Sequence, residues 1–220
     1  MCGPIRKEGP MNDSGRAERR ETVAEHKRTI ILDAARAVFE AEGLQGASMR
    51  MIAKAAGYTP GAIYAYFPSK EHIYAAALGE SLERLKAATE AAVATGTPAQ
   101  RFVAAGLAFF DFYDTNPRDL DLGFYLFRGG IHPQGLSVDL NAELNTKLLA
   151  TLEPLRVAVL DDGAGADRAR VVTADVLAHA SGLLLLAHTK RLALFGGDAR
   201  AMMRTHLCER LARGNTPESG

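Results

Sequence analysis

Histidine, carboxylate and cysteine side chains are the groups in this 220-residue chain that could hold a metal ion or carry out acid–base catalysis. His179 and His188 are nine residues apart, about 180° on a helix, so they cannot share a metal from one chain. Asp175 and His179 share a helix face, where we expect a buried hydrogen-bonded pair, because two ligands do not make a metal site. Cys2 and Cys208 lie at opposite ends of the chain and form no disulfide framework. The chain also lacks a glycine-rich phosphate loop, a nucleophile elbow and a metalloprotease motif, so we expect no enzyme, no metal and no cofactor.

A stretch over residues 48–67 has the local signals of two short helices joined by a tight turn. Ser48 is a good cap for the first helix, and Thr59 followed by Pro60 is a typical start for the second. Gly57 suits the left-handed backbone that such a turn requires. The second helix is too short and too apolar on its inner face to be stable alone, which predicts a compact three-helix head.

The same stretch resembles the DNA-binding head of the TetR family of bacterial regulators. The resemblance covers about residues 26–75 and rests on several elements that occur in the family's order. These elements are Ile31 to Gly43, Ser48-Met49-Arg50, Ile52-Ala53, Ala56-Gly57, Gly61, Ile63-Tyr64, Tyr66-Phe67 and Ser69-Lys70-Glu71. The resemblance implies that the helix 59–66 enters the major groove of DNA and that the helix 48–56 crosses the backbone.

The resemblance also implies which residues meet DNA. Arg50 would reach a base edge or a phosphate, and Tyr64 and Lys70 would hold phosphates. The full predicted DNA-binding set is Ser48, Met49, Arg50, Lys54, Thr59, Pro60, Gly61, Ala62, Tyr64, Tyr66 and Lys70. The predicted recognition helix contains no Arg, Asn or Gln, the side chains that make bidentate base contacts, so we expect DNA shape and water to carry much of the specificity.

Aromatic residues are concentrated in one part of the chain, with eight of the 15 falling between positions 102 and 127. Phe102, Phe109 and Tyr113 would line one stripe of a helix, and Gly106 between them would leave room. Such a segment is either an ordinary aromatic core or a pocket for a flat or apolar small molecule, and the family resemblance favours the pocket. The predicted ligand-binding set is Phe102, Gly106, Phe109, Phe110, Tyr113, Phe124, Phe127, Arg128 and His179.

The segment 167–195 is apolar on every side of a predicted helix and must therefore be buried all round. It is either a fully internal helix or the centre of an interface between two subunits. Because operator binding of this kind is symmetric, we expect a two-fold homodimer through 167–195 and 198–213. No apolar run reaches the roughly 18 residues that a membrane span needs, and the first thirty residues contain no apolar signal region, so we expect a cytoplasmic protein with no membrane partner.

Apolar residues recur at helical spacing from His26 onward, and no alternating pattern of useful length predicts a strand. We expect an all-α fold of about nine helices. Residues 26–75 would form the helix-turn-helix head, and residues 76–220 a larger helical bundle that binds the effector and dimerises.

Residues 1–25 are rich in glycine, proline and charge, which predicts a disordered arm. Its Arg16, Arg19 and Arg20 either follow a phosphate backbone or belong to a solvated tail. The whole chain has 26 basic and 26 acidic residues, so any contact with DNA must use a local basic face rather than a global field.

Taken with the resemblance, these features predict a ligand-responsive transcriptional regulator that binds a palindromic DNA operator as a homodimer. We expect a repressor that is released by a small apolar or aromatic effector. The effector would move the helix 70–94 as a lever and change the spacing of the two heads, which must lie about 34–36 Å apart to occupy successive major grooves. The alternatives are a helical interaction or small-molecule-binding protein without DNA binding, and a small all-α enzyme.

Overall fold

The computed structural model describes residues 13–124 and 136–212, and every regular element in these two ranges is helical. The α-helices are α1 (Asp13–Gly46), α2 (Met49–Ala56), α3 (Pro60–Tyr64), α4 (Lys70–Ala92), α5 (Pro98–Thr115), α6 (Pro117–Phe124), α7 (Val138–Asp161), α8 (Ala166–His188) and α9 (Ala199–Ala212). A short 3-10 helix, Leu192–Phe195, lies between α8 and α9. The prediction of an all-α fold with about nine helices is confirmed over the described part of the chain.

The chain divides into two compact units, Met1–Tyr74 and Ala75–Gly220, and the division falls inside α4. The first unit is built on α1, α2 and α3. Its core contains the fully buried Ile52 and Ile63, which come from the two short helices. Phe39 of α1 meets Tyr74 edge to face at a ring distance of 5.5 Å, which joins α1 to the first turns of α4.

The second unit is organised around α5, which packs against α7, α8 and α9. Phe102 and Phe110 of α5 are fully buried, and each contributes about 2 kcal/mol of hydrophobic stabilisation. Thr97 starts the helix with a reciprocal cap, because its side chain accepts from the Gln100 N–H while the Gln100 side chain accepts from the Thr97 N–H.

The N-terminal segment differs from its prediction. Residues 13–25 belong to α1, where the sequence predicts a disordered arm, and residues 1–12 lie outside the described residues. The glycines and prolines of the segment are concentrated before position 13, whereas positions 16–28 carry alanine, glutamate, arginine and lysine, which favour helix. The helix α1 loses helical geometry at Gly43, whose φ of 67° is readily adopted only by glycine.

Two other helices are shorter than expected. The helix α3 spans Pro60–Tyr64 rather than 59–66. The helix α8 ends at His188 rather than continuing to 195, because Lys190 adopts a φ of 58° that breaks the helix.

By length and composition, α8 is apolar enough to cross a membrane, and it is the one helix of the described ranges that meets this criterion. Its packing against α5, α7 and α9 assigns it instead to the helical bundle, as does the charged Asp175 in its middle turns. The core helices of helical bundles commonly pass the same test of hydropathy.

Candidate functional site

The turn between α2 and α3 is fixed by its own backbone. Ser48 caps α2 by accepting a hydrogen bond from the Met51 N–H at 3.3 Å. Gly57 ends α2 with φ 72° and ψ 24°, the left-handed region, and the Tyr58 N–H donates to the Ala53 carbonyl at 2.9 Å. A side chain at position 57 would meet no atom within 4 Å, so the backbone conformation rather than lack of space requires glycine here.

The helix α3 is only five residues long and depends on packing for its stability. The Thr59 hydroxyl accepts from the Ala62 N–H at 3.3 Å, and Pro60 occupies the first turn, where its missing N–H has no cost. Ile63 is completely buried, whereas the next residue, Tyr64, is 55% exposed. One side of α3 therefore anchors the helix and the other side faces solvent.

Most of the predicted DNA-binding residues lie at the surface of the first unit. The exposed members are Arg50, Lys54, Thr59, Pro60, Gly61 and Tyr64, and the half-buried members are Ser48, Met49, Ala62, Tyr66 and Lys70. Around Gly61 there is open space, since a Cβ built there would meet nothing within 4 Å. This surface can approach another molecule closely along the backbone of α3.

Lys70 occupies a different place from the predicted one. Its Nζ donates to the carbonyl oxygens of Leu44 at 2.7 Å, Gln45 at 3.3 Å and Ala47 at 2.9 Å. An ammonium group has three N–H donors, so all of them are used within the unit, and the predicted phosphate contact would require Lys70 to give up at least one of these hydrogen bonds. The carbonyl groups after the break at Gly43 lack helical hydrogen-bond partners, and the Lys70 ammonium group donates to them.

The second unit contains an apolar cavity of about 170 Å³. Its lining residues are Leu78, Leu82, Phe109, Tyr113, Leu120, Gly123, Leu144, Asn145, Leu148, Leu177, Ser181 and Leu184. No charged side chain is among them, so within the described residues the cavity offers only neutral polar groups. The Tyr113 hydroxyl is one of these, because burial and then the Asp119 carboxylate raise the pKa of this phenol far above its usual range and keep it protonated.

Only part of the predicted ligand set lines this cavity. Phe109 and Tyr113 do, and their rings meet edge to face at 5.3 Å. Phe102 lines a separate cleft beside Arg168 and Arg210, and Phe110 is fully buried in the core. Of the other predicted ligand-binding residues, the side chain of Phe124 and the whole of Phe127 and Arg128 lie outside the described residues.

Gly106 does not make room for a ligand. A Cβ at this position would lie 2.6 Å from Cδ2 and 2.8 Å from Cδ1 of Leu207. The missing side chain is therefore replaced by a leucine of α9, which lets α5 and α9 approach closely. The prediction that Gly106 opens a pocket is wrong, because the sequence could not show which distant residue fills the gap.

His179 lies in a shallow cleft at the surface of α8 and α9, away from the lining of the apolar cavity. Its ring stacks on that of His206 with centroids 3.8 Å apart, and burial together with His206 lowers the pKa of His179. Asp175 pairs with His206, whose Nε2 lies 2.9 Å from Oδ2, and with Arg210. The predicted Asp175–His179 hydrogen bond is thus wrong, because both partners of Asp175 come from the neighbouring helix.

The cavity residues that sequence reasoning missed come chiefly from α4, α7 and α8. Leu78 and Leu82 of α4 are four residues apart and share one helix face, a signal that was visible but that an ordinary core helix also gives. Asn145 and Ser181 supply small polar groups from two other helices. Their convergence on one cavity follows from packing and has no sequence signature.

Comparisons with known proteins agree on the first unit. Residues 31–77 match the model of the family described as bacterial regulatory proteins, tetR family. Over 76 residues the chain is 45% identical to the HTH-type transcriptional repressor KstR of Mycolicibacterium smegmatis, covering 34% of this chain and 37% of the relative. Over 64 residues it is 41% identical to the HTH-type transcriptional regulator UidR of Escherichia coli, covering 29% of this chain and 33% of the relative. These alignments span about a third of the length of the curated relatives.

Solved structures are similar over most of the chain. The regulator FadR from Bacillus subtilis, crystallised with stearoyl-CoA, superposes with a TM-score of 0.66 at 17% identity, covering 83% of this chain and 96% of that one. The TetR family regulator PfmR from Thermus thermophilus gives 0.62 at 21% identity, covering 87% and 97%. At such low identity these likenesses bear on the fold alone. By its sequence, the N-terminal segment of the chain therefore matches the TetR family of bacterial regulatory proteins over residues 31–77.

Proposed function

We propose that this chain is a ligand-responsive transcriptional repressor that binds a palindromic DNA operator as a homodimer in the bacterial cytoplasm. The observation that carries the proposal is the surface of α2 and α3, where buried Ile63 anchors a short helix whose Thr59, Gly61 and Tyr64 are exposed. A short helix presented in this way fits the major groove of DNA. The name of the relative KstR supports the assignment as a repressor.

Contacts with DNA would combine phosphate binding and shape readout. Arg50 is exposed near the start of α2, and Lys54 is exposed on the same helix. The Thr59 hydroxyl accepts an internal hydrogen bond, which leaves its proton free to donate to a base or a phosphate. Since α3 carries no Arg, Asn or Gln, the operator's deformability would provide much of the specificity.

The effector would occupy the apolar cavity of the second unit. The volume of about 170 Å³ is smaller than the roughly 300–1,000 Å³ of pockets for drug-sized ligands, which favours a small molecule. The uncharged lining favours a neutral and largely apolar one. Stearoyl-CoA, the ligand of the similar FadR, is much larger and charged, so it serves as a contrasting probe.

The helix α4 would transmit the effect of the ligand. Leu78 and Leu82 of α4 line the cavity, while Lys70 and Tyr74 of the same helix are packed into the first unit. A ligand that binds better when α4 is displaced would shift the population towards a head spacing that no longer fits the operator. A ligand with equal affinity for both arrangements would change nothing.

The dimer would form through α8 and α9. One face of α8 exposes apolar or small residues at intervals of three or four positions, namely Val171, Ala174, Ala178, Gly182 and Leu185. Val171 is 68% exposed and Leu185 is 53% exposed, so the described residues do not support a helix buried all round within one chain. An apolar stripe of this length fits a second copy of the same helix in a four-helix interface.

Operator binding is tested by selecting duplexes from a random pool with the full-length chain and measuring affinity by fluorescence anisotropy. Arg50→Ala should weaken binding about tenfold or more, as expected for the loss of an arginine contact worth about 1–3 kcal/mol. Tyr64→Phe should weaken it about fivefold through the loss of one hydrogen bond. Arg156→Ala, which removes a half-buried arginine of α7 in the second unit, is the control and should bind like the wild type. Wild-type affinity for both DNA-surface variants would refute the assignment.

Effector binding is tested with indole, 1-octanol and stearoyl-CoA as probes, measured by heat of binding and by release of the selected duplex. Leu148→Phe adds volume inside the cavity, whereas Leu149→Phe makes the same change at the next position, which is 66% exposed. We expect a small probe to bind the wild type and Leu149→Phe but not Leu148→Phe. Binding of stearoyl-CoA alone, or equal binding to both variants, would contradict the cavity as the effector site.

A further inference from the structure

Tyr113 places its hydroxyl group at the apolar cavity of the second unit. The residue lines this cavity and is only 6% exposed. Gly123 of α6 is another lining residue, and a Cβ atom built on it would lie 3.8 Å from the Tyr113 hydroxyl oxygen. Because glycine lacks this atom, the side of the hydroxyl that faces residue 123 remains open to a molecule in the cavity.

The ring of Tyr113 is held in place by two aromatic neighbours on its own helix. Phe109 and Phe112 both meet it edge to face, and the centroid of each ring lies 5.3 Å from that of Tyr113. The hydroxyl oxygen therefore has a fixed position, and only its proton rotates. A donor that is already positioned loses little conformational freedom when a ligand binds.

The Tyr113 hydroxyl has no hydrogen-bond partner within residues 13–124 and 136–212. Buried tyrosine hydroxyls usually have one, and a buried donor without a partner has lost its hydration without compensation. A ligand atom that accepts this hydrogen bond would supply the compensation, whereas a pure hydrocarbon would not. The cavity is therefore suited to an apolar molecule that carries one acceptor.

The charges near the cavity determine which kind of acceptor is suitable. Burial and then the Asp119 carboxylate hold the pKa of the Tyr113 phenol far above its usual range, so the hydroxyl keeps its proton and Asp119 is close enough to act on it. Asp119 is paired with Arg84 at 2.6 Å, and no lysine, arginine or histidine is among the described lining residues. A carboxylate or phosphate of a ligand would be repelled by Asp119 and would find no cation in the lining, so the acceptor must be neutral.

A carbonyl oxygen fits this site better than a hydroxyl group does. The oxygen of a ketone or an ester only accepts, so the single buried donor of Tyr113 satisfies it. An alcohol held at Tyr113 would leave one of the two hydroxyl protons without a buried acceptor. The other polar side chains of the lining are nearer to solvent, since Asn145 is exposed and Ser181 is half-buried.

We propose that the cavity takes a small neutral carbonyl compound, a ketone, ester or lactone with an apolar body, and that Tyr113 selects it by donating its hydroxyl proton to the carbonyl oxygen. This inference rests on the proposed function, because it takes the cavity as the effector site. It adds the chemical class of the effector and the residue that determines specificity for it.

The experiment compares Tyr113→Phe with Tyr58→Phe, which removes the same hydroxyl group from a half-buried tyrosine of the first unit and is the matched control. The probes are 1-indanone, 1-indanol, indane and indane-1-carboxylate, which share one bicyclic skeleton and differ in their polar group. Binding to the full chain is measured by heat of binding in the absence of DNA. Urea unfolding of the unliganded variants is measured in parallel.

Tyr113→Phe should weaken the binding of 1-indanone about tenfold and change that of indane by less than about twofold, because only the ketone loses a hydrogen bond. Tyr58→Phe should bind both probes like the wild type. The wild type should bind indane-1-carboxylate at least about tenfold more weakly than 1-indanone, and 1-indanol should also bind more weakly than the ketone. Without ligand, Tyr113→Phe should unfold at the same urea concentration as the wild type or at a higher one, since its missing hydroxyl has no partner to lose.

Equal binding of 1-indanone to the wild type and Tyr113→Phe, or an equal loss for indane, would overturn the inference. Tightest binding of the carboxylate or the alcohol would overturn it as well, as would a wild type that binds none of the four probes. A lower urea midpoint for Tyr113→Phe would show that the hydroxyl is used within the protein and would also overturn it. Each of these results leaves operator binding untouched, and release of the selected duplex by a different probe would keep the proposed function intact.

Discussion

Gly106 provides the sharpest test of how the second unit is packed. In Gly106→Ala the new Cβ would lie 2.6 Å from Cδ2 and 2.8 Å from Cδ1 of Leu207, whereas carbon atoms pack at about 3.5–4.0 Å. Leu207 is fully buried and cannot swing into solvent. Overpacking of this kind costs about 2 kcal/mol, and alanine regains about 1 kcal/mol of helix propensity. The net expectation is that the free energy of unfolding falls by about 1 kcal/mol.

Removing the leucine should reverse the sign of the effect. Leu207→Ala alone is expected to cost about 3 kcal/mol. In that background nothing opposes the new methyl group, so Gly106→Ala should stabilise by about 1 kcal/mol. The two substitutions are then coupled by about 2 kcal/mol, a value typical of residues in direct contact.

The assay is urea unfolding followed by far-UV circular dichroism at one protein concentration, because association would shift the apparent stability. Gly79→Ala is the control, since the Cβ at that helical position would lie 3.6 Å from Lys147, an ordinary contact, and the change should stabilise by about 1 kcal/mol. If Gly106→Ala stabilises as Gly79→Ala does, or has the same effect in both backgrounds, the packing argument is wrong.

Four further predictions concern other sites. Lys70→Met removes three hydrogen bonds to carbonyls and should destabilise the first unit by about 2 kcal/mol without DNA present. Unchanged thermal unfolding of this variant would contradict a structural role for Lys70 and favour the predicted contact with a DNA phosphate. Thr59→Ala should cost about 1 kcal/mol through the lost helix cap, and Thr59→Ser should keep it, as judged by urea unfolding. Ala178→Arg should halve the mass seen by light scattering and abolish operator binding while leaving the helix content unchanged. Because the pKa of His179 is lowered, the unfolded state binds its proton more readily, so stability should fall as pH drops below about 6.5; His179→Gln should flatten this pH dependence.

The sequence by itself determined the turn between α2 and α3 and the residues that cap these helices. Ser48, Gly57 and the Thr59-Pro60 pair act through their own backbone and the next few residues, so their roles in capping and turning could be read directly from the chain. The spacing of apolar residues likewise determined which side of α3 is buried. Such features depend on interactions over three or four positions, so they can be recognised in the sequence before the helices pack.

Only the tertiary structure decided which distant groups meet. Lys70 reaches carbonyls 23 to 26 residues earlier, Asp175 pairs with residues 31 and 35 positions later, and Leu207 fills the space at Gly106. In each case the residue type showed what kind of contact was possible, because it supplied a free ammonium group, a carboxylate or a missing side chain. It did not show which residue would be the partner. The partner is selected when helices pack, because close packing and the desolvation of polar groups choose one arrangement among many that the pattern of residues allows.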